Sequence, residues 1–93
     1  MRAIDTILPD ITARELRAVC AIAEHGSFMA ASLTIGMSQP ALTRIVQRLE
    51  RAVGVELFRR TTRRVEVSPA GEKFIAVAER VLDDLGISLV VWL

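Results

Sequence analysis

A single cysteine, Cys20, leaves this chain without an internal disulfide. Its place in an apolar helical pattern favours a buried thiol over a reactive one. One histidine, one lysine and one cysteine supply no ligand set for a metal and no paired nucleophile and base. No glycine-rich phosphate loop and no pair of carboxylates in a plausible cleft is present, so the sequence argues against an enzyme and implies no cofactor. His25 falls at a helix C-terminus, where a favourable dipole contact explains it without catalysis. Aromatics are scarce, at 4%. The N-terminus "MRAIDTILPD" lacks a secretory apolar core, and no run of about 18 apolar residues could span a bilayer. The expectation is a cytoplasmic domain without a membrane contact.

What the chain does have is a core and an uneven charge. The 93 residues are 52% hydrophobic and 25% charged, enough for one compact domain. Net charge is only +1, yet Ser38 to Arg64 holds seven arginines against two glutamates. The rest of the chain holds five basic and nine acidic residues. One face is therefore basic, as a partner rich in phosphates requires.

Capping signals divide the chain. Thr12 with Glu15 three residues later forms a capping box, Leu16, Val19, Cys20 and Ala23 repeat at helical spacing, and Gly26 ends the run. Ser27 caps a short second helix, with Phe28, Ala31 and Leu33 as its packing residues and Gly36 at the break. The small residues Ala30 and Ala31 would admit a neighbouring helix closely. Ser38 caps a third helix with Pro40 in its first turn. Leu42, Ile45, Val46, Leu49 and Val53 form its apolar side, and Gly54 closes it. From "VELFRRTTRRVEVS" the period changes: Val55, Leu57, Val65 and Val67 alternate with polar residues about an arginine-rich tip, which reads as a two-stranded ribbon. Ser68 and Pro69 open a last helix carrying Phe74, Val77, Ala78, Val81, Leu82 and Leu85 on one side. The expected fold is mainly α: a winged helix-turn-helix head with a two-stranded β wing over residues 1–67, then a long linker helix and apolar tail over 68–93.

Projected down the third helix with Leu42 at zero, Gln39, Pro40, Thr43, Arg44, Gln47, Arg48 and Arg51 fall between about 60° and 240°, opposite the apolar arc. The major groove of B-DNA admits one helix and is read by hydrogen bonds to base edges. Gln pairs with adenine, Arg with guanine, and the Thr methyl meets the thymine methyl. Any amphipathic helix has a solvated face, but this one lacks acids until Glu50 and precedes an arginine-tipped ribbon. Gln39, Pro40, Thr43, Arg44 and Gln47 are thus expected to face bases, and Ser38, Arg48 and Arg51 the backbone. On the ribbon, Arg63 is the candidate for a narrow minor groove, while Arg59, Arg60 and Arg64 are placed at phosphates. RNA is the weaker partner, because stripe and wing lack aromatics for stacking unpaired bases.

The stretches "GSFMAAS", "SQPALTRIVQRLE", "GVELFRR" and "VSPAG", at these spacings, resemble the N-terminal DNA-binding domain of LysR-type transcriptional regulators. The resemblance runs from about Leu16 to Leu85. It implies that Gln39, Pro40, Thr43 and Arg44 line the major-groove surface and that a wing arginine enters the minor groove. It also implies that the last helix pairs two subunits antiparallel on a pseudo-palindromic, A·T-flanked promoter site. Phe74, Val77, Ala78, Val81, Leu82 and Leu85 are then the expected homodimer contact, with Ile87, Leu89, Val90, Val91, Trp92 and Leu93 extending its apolar surface. The chain departs from the family pattern at Arg59, where many relatives carry Glu, and at Ile45, often Gln. The family's effector-binding domain of roughly two hundred residues is missing from the 93, so no small-molecule effector site is expected in them. The rival reading is a truncated interaction module that pairs with full-length relatives.

Overall fold

A computed structural model describes residues 10–61 and 64–86. Arg63 and the apolar tail from Ile87 to Leu93 lie outside the described residues. Four helices and one hairpin follow in order: α1 (Ala13–His25), α2 (Phe28–Ile35), α3 (Gln39–Val53), β1 (Phe58–Arg60), β2 (Val65–Val67) and α4 (Pro69–Asp84). The winged helix-turn-helix order expected from the capping and period changes is the observed one.

Each helix begins where a side chain takes up an orphan backbone N–H. The Thr12 hydroxyl accepts from the Glu15 amide, and the Glu15 carboxylate accepts from Thr12 N–H in return. Ser27, Ser38 and Ser68 accept from Ala30, Ala41 and Gly71 in the same manner. Gly36, at φ 71°, makes the left-handed turn that joins α2 to α3, a conformation only glycine adopts without penalty.

The main core gathers Ala18, Val19 and Ile22 of α1, Phe28 and Ala31 of α2, Leu42, Val46 and Leu49 of α3, and Leu57 and Phe58 at the ribbon. Two expectations fail here. Leu33 is 80% exposed. The apolar line of α2 is Phe28, Ala31 and Ile35, and Leu33 stands about 200° round the helix from Ala31. Val55 is likewise exposed and precedes the ribbon, which begins only at Phe58. Consecutive Leu57 and Phe58 are both buried, because the chain entering β1 is enclosed by neighbouring elements. Leu57 N–H is held by the Glu50 carboxylate, and its carbonyl accepts from Ser68 N–H. In the ribbon Phe58, Arg59 and Arg60 face Val67, Glu66 and Val65 in antiparallel register.

A second, smaller cluster seats α4 on α1: Cys20, Ala78 and Leu82 are each 2% exposed, flanked by Leu16, Phe74 and Ile75. This corrects the expectation that all six apolar residues of the last helix face a partner. Ala78 and Leu82 are spent within the chain, and Phe74 packs against both clusters. Val77, Val81 and Leu85 remain open at 63%, 38% and 61%.

Burial pushes the Cys20 thiol up to about 12, with Glu79 and Glu24 adding repulsion. An unfolded thiol titrates near 8.5, so the folded state disfavours the thiolate that the unfolded state forms freely. The contribution is whole below about pH 8 and is lost as pH rises from about 9 toward 12. Urea midpoints measured at pH 7 and pH 10 should fall on the alkaline side in the wild type and fall less in Cys20→Ala. Equal losses in the two proteins would place the alkaline sensitivity elsewhere.

Candidate nucleic-acid interface

The face of α3 turned away from the core carries Gln39, Pro40, Arg44, Gln47 and Arg51, all exposed, with Thr43 half-buried at its edge. Ser38 spends its hydroxyl on the cap at Ala41 and its carbonyl on Leu42 N–H, so it serves first to start α3. Glu50 is the one acid of α3, and it turns inward: one carboxylate oxygen accepts from Leu57 N–H at 2.8 Å and from Phe58 N–H at 3.4 Å. The outward stripe therefore holds no negative charge, and the same carboxylate fixes the start of the ribbon to the end of the helix. No sequence pattern marks Glu50 for this task, because its partners are backbone groups beyond a glycine turn.

Arg48, expected at the DNA backbone, is engaged within the chain while its side chain stays 42% exposed. Its guanidinium reaches both carboxylate oxygens of Glu15, at 3.1 and 3.0 Å, and also donates to the Asp10 carbonyl. At about 240° on the projection it lies at the edge of the stripe, where it joins α3 to α1 through Glu15. Arg14, which the sequence reading passed over, shares an open cleft with Ser38, Met37 and Arg44 between the starts of α1 and α3. Nothing in the sequence brings the first turn of α1 to the first turn of α3; only the packing does.

On the ribbon, Arg59 is exposed, 3.9 Å from an equally exposed Glu56 carboxylate. Such a contact is screened and leaves Arg59 available. Arg60 lays its guanidinium over the Phe28 ring, 4.2 Å from the centroid. Arg64 is exposed, and its backbone closes the tip turn with Thr61: Thr61 N–H donates to the Arg64 carbonyl at 2.9 Å, and Arg64 N–H to the Thr61 hydroxyl at 3.1 Å. The ribbon also leans on the α1–α2 turn through Val65 N–H to the Gly26 carbonyl. Among the described residues no group of three or more His, Cys, Asp or Glu could hold a metal, and no helix is long and apolar enough to cross a membrane.

A helix with an acid-free polar face, preceded by a short helix and a glycine turn and followed by an arginine-bearing hairpin, defines the winged helix-turn-helix class of nucleic-acid-binding modules. The family model described as bacterial regulatory helix-turn-helix protein, lysR family, matches residues 13–72, and the chain belongs to that family. Over 72 residues it is 53% identical to the probable hydrogen peroxide-inducible genes activator of Streptomyces viridosporus, covering 77% of this chain and 23% of that protein. The solved structure of the CbnR DNA-binding domain in complex with DNA superposes with a TM-score of 0.79 at 38% identity, covering 82% of this chain and 87% of that one. The BenM DNA-binding domain bound to benA site 1 DNA gives 0.77 at 33% identity, over 82% and 85%. The chain spans about a quarter of the length of the full-length regulators it matches.

Proposed function

We propose that this chain reads a specific duplex DNA sequence as the DNA-binding part of a transcriptional regulator, and that it does so as a homodimer in the cytoplasm. The observation that carries this reading is the outward face of α3: Gln39, Pro40, Thr43, Arg44 and Gln47 on one side, with Glu50 turned away from it. Gln39, Thr43, Arg44 and Gln47 offer the hydrogen-bonding and methyl chemistry of major-groove readout. Arg51, Arg59, Arg64 and, from the cleft beside α3, Arg14 supply phosphate contacts that set register without reading sequence. A wing of this class sets its tip against the flanking minor groove, and Arg63 is the residue we assign to that contact from the sequence. That CbnR and BenM were solved with DNA on the same fold supports the assignment.

The test is equilibrium binding to duplexes enriched from a randomised pool, compared with random duplex. Affinity should fall with salt by about 0.9 log units per tenfold rise for each phosphate neutralised. Arg44→Ala should cost about 1–3 kcal/mol on the enriched site and relax one base position, whereas Arg51→Ala should weaken every duplex alike. Salt-independent binding would remove the basic-face argument. Equal loss on both duplexes in Arg44→Ala would show that the stripe does not read bases.

A further inference from the structure

We propose that Arg60 is a positioning residue: stacked on Phe28, it sets the aim of the wing from the helix side, and it is not one of the phosphate contacts. This rests on the reading of the chain as a DNA-binding module. Phe28 is the first residue of α2, only 8% exposed, and two groups of β1 complete its enclosure. The Phe58 ring meets it edge-on at 6.3 Å and 73°, and the Arg60 guanidinium covers its face with the central carbon 4.2 Å from the centroid. Both contacts come from one three-residue strand, so Phe28 meets the first and last residues of β1.

The position of Arg60 gives this grip a consequence at the tip. Arg60 ends β1, pairs with Val65, and is followed at once by the Thr61–Arg64 turn. A planar guanidinium lying on a ring fixes tilt as well as distance, which a lysine ammonium, a compact point charge, does not. Leaving the ring to reach a phosphate would uncover Phe28 and release the strand just below the tip. Arg59 and Arg64, exposed on either side, meet no such conflict. The base of the ribbon is held separately, by Glu50 at Leu57 and Phe58. Loss of the stack should therefore misdirect the tip without detaching the wing.

Two measurements test this. In the free protein, the NMR signals of the Arg60 side chain should be shifted upfield by the Phe28 ring current and return to ordinary positions in Phe28→Leu. In binding, the probes are duplexes enriched from a random pool by the wild type, and the same duplexes with A·T flanks exchanged for G·C, since A·T runs narrow the minor groove. Phe28→Leu and Arg60→Lys should each lose about tenfold in flank preference, and the double variant no more than either alone, the signature of a shared interaction. The proposal is overturned if Arg60→Lys keeps wild-type flank preference while Arg60→Gln lowers the salt slope by about 0.9, one phosphate's worth. Arg60 is at the surface, so its variants decide the matter even where Phe28→Leu fails to fold. Wild-type protein that enriches no duplex would instead overturn the DNA-binding reading, with the ring-current shift still reporting on the stack.

Discussion

Gly71→Ala should destabilise the fold by about 3 kcal/mol or more, although alanine is the better helix former. Gly71 lies in the first turn of α4, where the exchange would by itself favour folding by roughly 0.5–1 kcal/mol. Opposing this, a Cβ at position 71 would stand 2.1 Å from the Leu57 carbonyl oxygen and 3.0 Å from the Val67 side chain. The carbonyl cannot swing aside cheaply, since it is backbone and accepts from Ser68 N–H at 2.9 Å. Overpacking of this kind typically costs 1–3 kcal/mol, and more where backbone must move. Relief requires α4 to lift from the ribbon, which strains the Ser68 cap and loosens Ala78 and Leu82 from Cys20. Urea unfolding should show a lowered midpoint, and the Cys20 thiol should become reactive to a maleimide under native conditions. Ala76→Gly, at an exposed site of the same helix, calibrates propensity alone at about 1 kcal/mol. A Gly71→Ala protein as stable as the wild type, with Cys20 still protected, would mean that the approach of α4 to β1 is looser than described.

Gly71 also illustrates which parts of this molecule a sequence reader sees. Caps are local: Thr12 with Glu15, Ser27, Ser38 and Ser68 each act on an amide three residues away, and all four helix starts were legible. So was α3, whose fifteen residues span enough turns for an apolar side and a polar side to separate. The eight residues of α2 make about two turns, too few to define a period, which is why the sequence does not show Leu33 to be exposed. The burial of Phe58 next to Leu57 breaks the alternation expected of a strand, so no period marks it as core. The candidate interface was legible where it depends on one helix and obscure where it depends on two elements. Arg48 and Glu15 are separated by 33 positions, so no pattern could show that the arginine is engaged before DNA arrives. The placement of Arg60 on Phe28, of Glu50 beneath the ribbon and of Arg14 beside Arg44 are products of packing in the same sense.

Packing likewise narrows what the last helix can offer a second subunit, and this yields the other large effect. With Ala78 and Leu82 buried against Cys20, the open residues are Val77, Val81 and Leu85, an apolar strip on a helix otherwise lined by charge. Exposed strips of this kind mark partner surfaces, and a two-fold pair of α4 helices would hide one strip against the other. Val81→Glu combined with Leu85→Glu should give monomers. Both positions are exposed within the chain, so the head should unfold at nearly the wild-type urea concentration. The added carboxylates would also stand beside Glu79, Asp83 and Asp84, so repulsion joins the loss of apolar contact. Two linked heads bind two half-sites at high effective concentration, a gain of about 10²–10⁴ that a lone head forfeits. Binding to a two-half-site duplex should therefore weaken at least about a hundredfold, while binding to a single half-site stays near the wild-type monomer level. Leu82→Ala provides the contrast: it should lower stability by about 2–5 kcal/mol by opening a cavity against Cys20, with folded molecules still pairing. Sedimentation of an unaltered dimer in the Val81→Glu, Leu85→Glu protein would place the subunit contact away from this strip, and with it the symmetry that sets half-site spacing.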